Sequence, residues 1–499
     1  MKKVPGPTRV RTVLAAGVAL VVSACVPSFA PGSALVAKSG GGATVRLIWN
    51  QAFDPDPGDS IAYYSIEVNG TVVDTLAAPK TNCTLAGLAS GTHYDVSVTA
   101  YSNHGTGTEW SGSLGGAYAD LGRLSTSLTT PAGSVAVGTI ACNNGDTDTD
   151  GDRLPDWAET NTHVYVNAGN TGTNPLVADT DGDRINDGDE TLGTLGGLDL
   201  PGLGFKPLRK DLAFEFDWFD DHDDPGTCAA HTHRPTPGAI ARLSAAFAAG
   251  PVANPDGTTG VHVVADYGQG GAFSGGNHVA DADGVIAGGV DGTDFAQYKA
   301  ANFAANRKGY FHYVLLPHRY GTNSTSSGEA EIGGNDLVVS LYCFHSDGNV
   351  ANTIMHEVGH NLGLLHGGNA LTNFKPNYNS VMNYEFQFPG VDTDCVPGGD
   401  GVLDYSSGTR APLKESALNE SAGICNGIAV DWNQNGVTDP SPVSADINPW
   451  PGGGDGALGT LTDFNDWGHL FFGGLGDADG AAPAPQVVVE QPVPRSAQH

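Results

Sequence analysis

The sequence predicts a multidomain chain in three parts: an all-β N-terminal domain, an acidic loop-rich linker, and an α+β domain with one histidine-bearing helix. Three observations carry this. Residues 43–130 alternate apolar and polar with turn residues at short intervals. Residues 143–194 repeat one acidic loop, and residues 204–476 change to strands alternating with helices. The chain has 499 residues, enough for about three domains at roughly 150 residues each. Its 23 Lys+Arg against 55 Asp+Glu give a net charge of −32. Phosphate binding needs clustered Lys and Arg, so nucleic acid is excluded as a partner. Such an acidic surplus suits solubility and hard cations held by carboxylates.

The N-terminus predicts export. Lys2, Lys3, Arg9 and Arg11 precede an apolar run from Val13 to Val22, too short to span a bilayer but suited to a secretory signal within residues 1–34. The run ends in Val22-Ser23-Ala24-Cys25, which resembles a bacterial lipobox; Cys25 would then carry lipid and attach the protein to the cell surface or outer membrane. Cleavage at Gly32-Ser33-Ala34 is the alternative and gives a secreted protein. Removing Cys25 from the seven cysteines leaves six, an even number with no CxxC, as disulfides in an exported protein require. Cys395 and Cys425 are expected to pair.

In the first domain the clearest strands are Val45–Trp49, Tyr63–Val68 and Tyr94–Tyr101, with Asn69-Gly70 as a hairpin turn. Leu88-Ala-Ser-Gly-Thr-His-Tyr94, followed by Val96, Val98 and Ala100, resembles a fibronectin type III domain. The resemblance makes Trp49 the core tryptophan and Tyr94 the corner tyrosine, in a sandwich that serves as a spacer or adhesive module.

The linker holds Asp148, Asp150, Asp152, Leu154, Asp156 and Glu159, repeated 31 residues on as Asp179, Asp181, Asp183, Ile185, Asp187 and Glu190. Acidic residues at loop positions 1, 3, 5, 9 and 12, with an apolar residue at 7 lending its carbonyl, provide the oxygens calcium needs. Position 6 is Arg153 or Arg184 where an EF-hand has glycine, and the glycines stand two places earlier. The pair resembles thrombospondin type 3 calcium repeats. A third, weaker loop is Asp431, Asn433, Asn435 and Asp439, which has Pro442 in place of the closing acid.

In the last domain the expected strands are 210–217, 261–265, 310–316 and 336–341, with helices over 239–249 and from the cap candidates Ser346, Asp347 and Asn349. The second helix contains His356-Glu357-Val-Gly-His360-Asn-Leu-Gly363-Leu-Leu-His366. His356 and His360, four apart, project from one face and can grip one metal ion; Glu357 can reach a water without ligating. Gly363 permits a turn that brings His366 in as a third ligand, and three imidazoles plus water make an open, catalytic zinc site.

These residues resemble the metzincin clan of zinc endopeptidases. Ser380-Val381-Met382-Asn383-Tyr384 is similar to its methionine turn, 16 residues after His366. The resemblance implies a mixed sheet with an active-site helix, Met382 supporting the metal, Tyr384 touching the reaction intermediate, and hydrolysis of protein or peptide substrates by a zinc-bound water that Glu357 activates. Gly367, after the third histidine, matches none of the best-known branches. The alternative is a surface adhesion or matrix-binding protein whose zinc site is silent or structural. His231-Thr-His233 reads as a solvated loop, with a second metal site as the other reading. The Pro- and Ala-rich tail, 477–499, is expected to be disordered.

Overall fold

Alternating apolar residues close the N-terminal strands into a two-sheet sandwich. The computed structural model describes residues 27–41, 44–55, 58–103, 122–133, 138–143, 146–220, 229–280, 284–321, 326–448, 456–475 and 486–488. It divides into two units, Met1–Thr180 with Ile185–Leu208, and Asp181–Arg184 with Arg209–His499. Residues 1–26, which include Cys25 and most of the expected signal region 1–34, lie outside the described residues.

The first unit contains β1 (Ser28–Phe29), β2 (Leu35–Gly41), β3 (Thr44–Trp49), β4 (Ala52–Phe53), β5 (Ile61–Val68), β6 (Thr71–Ala77), β7 (Asn82–Ala86), β8 (His93–Ser102), β9 (Arg123–Thr129) and β10 (Ala141–Asn143). Antiparallel sheets ordered β10-β7-β3-β2 and β6-β5-β8-β9 face one another. Leu47, Trp49 and Leu85 from one and Tyr64, Ile66 and Val98 from the other fill the space between them. Trp49 meets Tyr64 edge-on at 5.5 Å. The Ala89 N–H donates to the Tyr94 hydroxyl at 2.7 Å, the tyrosine-corner bond. Asn69 and Gly70 both have positive φ, 50° and 75°, as a two-residue hairpin turn requires. Cys83 and Cys142 form a disulfide joining β7 to β10.

Two expectations change here. The domain begins before residue 43, because β1 and β2 belong to it and β2 pairs with β3 along its length. Lys38 and two glycines interrupt the apolar alternation of β2 and hide it from a pattern reading. Nor are residues 146–194 a free linker. Leu154, Ala158, Ala168 and Leu192 form one buried cluster with Ile48 of β3, flanked by Val36 and Trp157. Lys38 Nζ donates to the carbonyls of Trp157 (3.5 Å) and Gly169 (3.0 Å). Two short helices, α1 (Asp187–Leu192) and α2 (Leu200–Leu203), complete the unit.

The second unit is built on a six-stranded sheet ordered β12-β11-β14-β17-β16-β20. Its elements are β11 (Asp211–Trp218), α3 (Pro237–Ala249), β12 (His262–Asp266), β13 (Val285–Ile286), α4 (Thr293–Asn302), β14 (Phe311–Leu316), β15 (Arg319–Tyr320), β16 (Gly328–Ile332), β17 (Asp336–Val339), α5 (Asp347–Asn361), α6 (Tyr384–Gln387), β18 (Leu413–Lys414), β19 (Thr460–Leu461) and β20 (Gln486–Val488). β12, β11, β14 and β17 run parallel, while β16 is antiparallel to both its neighbours. β11 and β14 are buried at every position, as central parallel strands are. α3 starts at Pro237, with Thr236 Oγ1 accepting from Ala239 N at 3.0 Å. Its Ile240, Leu243 and Phe247 share a core with Phe214 and Phe216 of β11 and with Ala351, Ile354 and Val358 of α5. Ser346 caps α5, and Thr236 Oγ1 donates to Asp347 Oδ1 at 2.6 Å, tying the two helix starts together. Cys395 and Cys425 form a disulfide, as expected. The tail is not wholly without structure: Gln486–Val488 adds a strand to β16, because Val487-Val488-Val489 is a β-branched run inside the Pro/Ala-rich segment. Among the described residues no helix is long and apolar enough to cross a membrane.

The sheet holds a buried charge group around Arg307. Arg307 donates to Glu215 Oε2 at 2.7 Å and to Asp266 Oδ2 at 2.5 Å, and both carboxylates are fully buried. Burial pushes Glu215 up to about 7 even against the neighbouring guanidinium. Arg307→Leu would strand two buried carboxylates, so unit 2 should lose about 3–5 kcal/mol of stability. Urea unfolding followed by tryptophan fluorescence checks this; an unchanged midpoint would show that the pair is not a buried ion group.

Candidate metal centre

α5 is buried on nearly all sides from Val350 to Asn361, so its histidines lie in the interior rather than at the surface. His356 and His360 sit one turn apart with ring centroids 5.0 Å apart. The helix stops at Asn361, and Gly363, at φ +89°, takes the left-handed conformation that reverses the chain. His366 then returns, and one ring nitrogen from each of the three histidines lies within 4.8 Å of the other two. His356 Nδ1 bonds the Val381 carbonyl and His360 Nδ1 the Leu364 carbonyl, each at 2.7 Å. A carbonyl only accepts, so both Nδ1 atoms carry a proton, and in the neutral ring the lone pair is left on Nε2.

Met382 lies directly beneath the helix. A Cβ placed on Gly359 would come within 2.2 Å of Met382 Sδ, so only glycine lets the sulfur approach the backbone between the two histidines. Asn383 fixes this turn by donating to the carbonyls of Lys375 and Tyr378, at 2.8 and 2.9 Å. Tyr384 follows, its ring 4.4 Å from His366 and 5.6 Å from His356. Glu357 is buried on the same helix. Gly328, the first residue of β16, packs so closely on it that a Cβ there would stand 2.2 Å from Glu357 Oε1. The seven residues singled out around the helix are therefore brought together. Gly328 was missed, since a glycine among 71 carries no mark of what will pack on it.

The acidic repeats form a second candidate centre. The sequence repeat becomes a bonding repeat: Thr149 donates to Asp156 through N–H and Oγ1, and Thr180 to Asp187 in the same way. Asp148, Asp150 and Asp152 converge, as do Asp179, Asp181 and Asp183, with one oxygen each within 4.8 Å. Leu154 and Ile185 bury their side chains and anchor the loops. Arg153 and Arg184, at the glycine position of an EF-hand, have φ of 83° and 76°; the left-handed turn is kept without the glycine. Sequence reasoning did not anticipate that Asp152 and Glu159 of the first loop would meet Asp187 of the second, with one oxygen each again within 4.8 Å. Asp152 Oδ2, Glu159 Oε2 and both oxygens of Asp150 are buried without a hydrogen-bond partner among the described residues. Such a set could hold a hard cation. Glu190 is buried at the end of its loop.

The third loop closes differently. Asn433 and Asn435 donate their amides to Asp439 Oδ2 at 2.9 and 2.8 Å, and Gly436 N donates to Asp431 Oδ2 at 2.7 Å. Glu420, far away in sequence, accepts from the backbone of Trp432 and Asp439 and supplies the buried acid the loop lacks. His231 and His233 also gain a partner no local pattern reveals, His318, with one ring nitrogen each within 4.8 Å. Burial and the surrounding imidazoles push His233 down to about 2.

Residues 29–115 match the family of the fibronectin type III domain, and the N-terminal module is such a domain. No curated protein matches the chain. Among solved structures it is similar to the spore cortex lytic enzyme SleM of Clostridium perfringens, at 17% sequence identity and a TM-score of 0.14. The match covers 21% of this chain and 28% of that one, too slight a likeness to place a fold.

Burial, and then the neighbouring carboxylates, push Asp152 up to about 7 and Glu159 up to about 8. Both shifts are upward, so without a cation the folded unit holds more protons than the unfolded chain. The stability these groups contribute is complete below about pH 4 and is lost as the pH rises through 7 and 8. In a chelating buffer the thermal midpoint of unit 1 should therefore fall between pH 5 and pH 9; a midpoint that climbs across that window contradicts the burial of these acids.

Proposed function

We propose that the chain is an exported zinc-dependent endopeptidase of metzincin type, with calcium holding the acidic repeats. One observation carries the reading: two histidines whose Nδ1 protons are fixed by backbone carbonyls, and a third beside them, offer a neutral donor set of the kind an open zinc site uses. When bound there by His356, His360 and His366, zinc supplies a Lewis acid that polarises a peptide carbonyl and makes water acidic. Glu357, adjacent to the first ligand and held against Gly328, takes the proton of the attacking water and returns it to the leaving amine. The Tyr384 hydroxyl stabilises the oxyanion, which its ring position next to His366 supports. The Cys83–Cys142 and Cys395–Cys425 disulfides favour an oxidising, extracytoplasmic compartment. Whether lipid on Cys25 anchors the protein is tested by Cys25→Ser and membrane fractionation, where release is expected.

The second reading, a surface adhesion protein with a structural zinc, draws on the fibronectin type III domain. Glu357 speaks against it, because a structural zinc has no use for a base beside its ligand. A zinc chelator should abolish proteolysis while sparing any surface binding.

Glu357→Gln should lower peptide hydrolysis by about 10²–10⁴-fold with zinc content unchanged. Wild-type rates on a mixed peptide library would sink the mechanism. Gly328→Ala should act through the same carboxylate, lowering the rate while zinc is retained; a fully active variant would show that Gly328 does not seat Glu357.

For calcium, the argument is the group of buried acids around Asp152. Binding to the folded form alone would stabilise unit 1 by about 2.7 kcal/mol at 100 times the dissociation constant. Replacing Asp148, Asp150, Asp179 and Asp181 with Ala should make residues 143–194 protease-sensitive even in millimolar calcium. Equal cleavage of wild type and variant would reduce the repeats to an acidic surface.

A further inference from the structure

We propose that His231, His233 and His318 form a second metal site, built for a divalent transition-metal ion and separate in its ligands from the His356 centre. The three imidazoles come from two chain segments, residues 231–233 and the turn after β14, and bring one nitrogen each within 4.8 Å of one another. His233 and His318 are buried, so this is not a solvated loop. His233 Nε2 stands 2.9 Å from His318 Nδ1, close to the roughly 3.3 Å between neighbouring nitrogens on a tetrahedral zinc with bonds of about 2.05 Å. His231 brings its ring nitrogens to the carbonyls of Ala229 and Tyr342, each at 3.0 Å. The set contains no carboxylate, and imidazole donors favour zinc, nickel or copper over calcium.

His345 suggests the role. Its ring stacks on His231 with centroids 4.0 Å apart, and it directly precedes the Ser346 cap of α5. With His345 as a fourth donor the site becomes a closed, structural one. It fastens the segment 231–233, the end of β14 and the start of the helix that carries His356.

The test uses the full chain, stripped of transition metals, in millimolar calcium, titrated with Co²⁺ alone and followed by visible absorption and bound-metal analysis. Wild type should bind two Co²⁺ per chain. His356→Gln/His360→Gln should bind one, as should His231→Gln, and combining all three should leave none. A wild type that binds one ion together with a His356→Gln/His360→Gln variant that binds none overturns the proposal, as does a His231→Gln variant that still binds two. If His231→Gln loses its native circular-dichroism spectrum, the comparison of wild type with His356→Gln/His360→Gln decides alone. Loss of the catalytic reading would remove peptidase activity and leave this count of one intact.

Discussion

Two hydrogen bonds govern the candidate centre: His356 Nδ1 to the Val381 carbonyl, and His360 Nδ1 to the Leu364 carbonyl. A histidine in a buried helix can present either nitrogen, and only a fixed acceptor decides which. The Val381 carbonyl is in place because Asn383 braces its turn and Val381 N is held by the Asp404 carbonyl at 3.0 Å. The Leu364 carbonyl is in place because Gly363 lets the chain double back. Met382 under Gly359 and Gly328 over Glu357 follow from the same demand for close approach. The helix and its two flanking turns therefore act as one unit, and a change in either turn would free the proton position on a histidine before it moved the ring.

The same logic of buried polar groups runs through both units. In the first, carboxylates gathered around Asp152 outweigh what local hydrogen bonds can satisfy, and Leu154, Ala158 and Leu192 hold them there by packing on β2 and β3. Apolar contacts supply order that the like charges oppose. In the second, Arg307 answers Glu215 and Asp266 inside the sheet. The difference is instructive: where a guanidinium is built in, the charge is settled within the chain; where only acids converge, a cation or protons must settle it.

What the sequence made legible was local. The strands around Trp49, Ile66 and Val98, the Asn69-Gly70 turn, the capped start of α5 and the His356–His366 spacing all express periods or turn rules within a dozen residues. What stayed hidden depends on contacts across the chain. His318 reaches His233 from 85 residues away, and Glu420 answers Asp439 from 19. β2 was lost because Lys38 and its glycines break the alternation, and β20 because three valines sit in a proline-rich context. The acidic repeat was readable, but the meeting of Asp152 and Glu159 with Asp187 needed the fold of one loop against the other.

The most direct measurement is zinc-edge anomalous diffraction from crystals of the zinc-loaded chain. The account predicts a peak about 2.0–2.1 Å from Nε2 of both His356 and His360 and bonded to His366, with the two Nδ1 atoms still on the Val381 and Leu364 carbonyls. A zinc-replete crystal with no peak among these three histidines, or with zinc on either Nδ1, would contradict it.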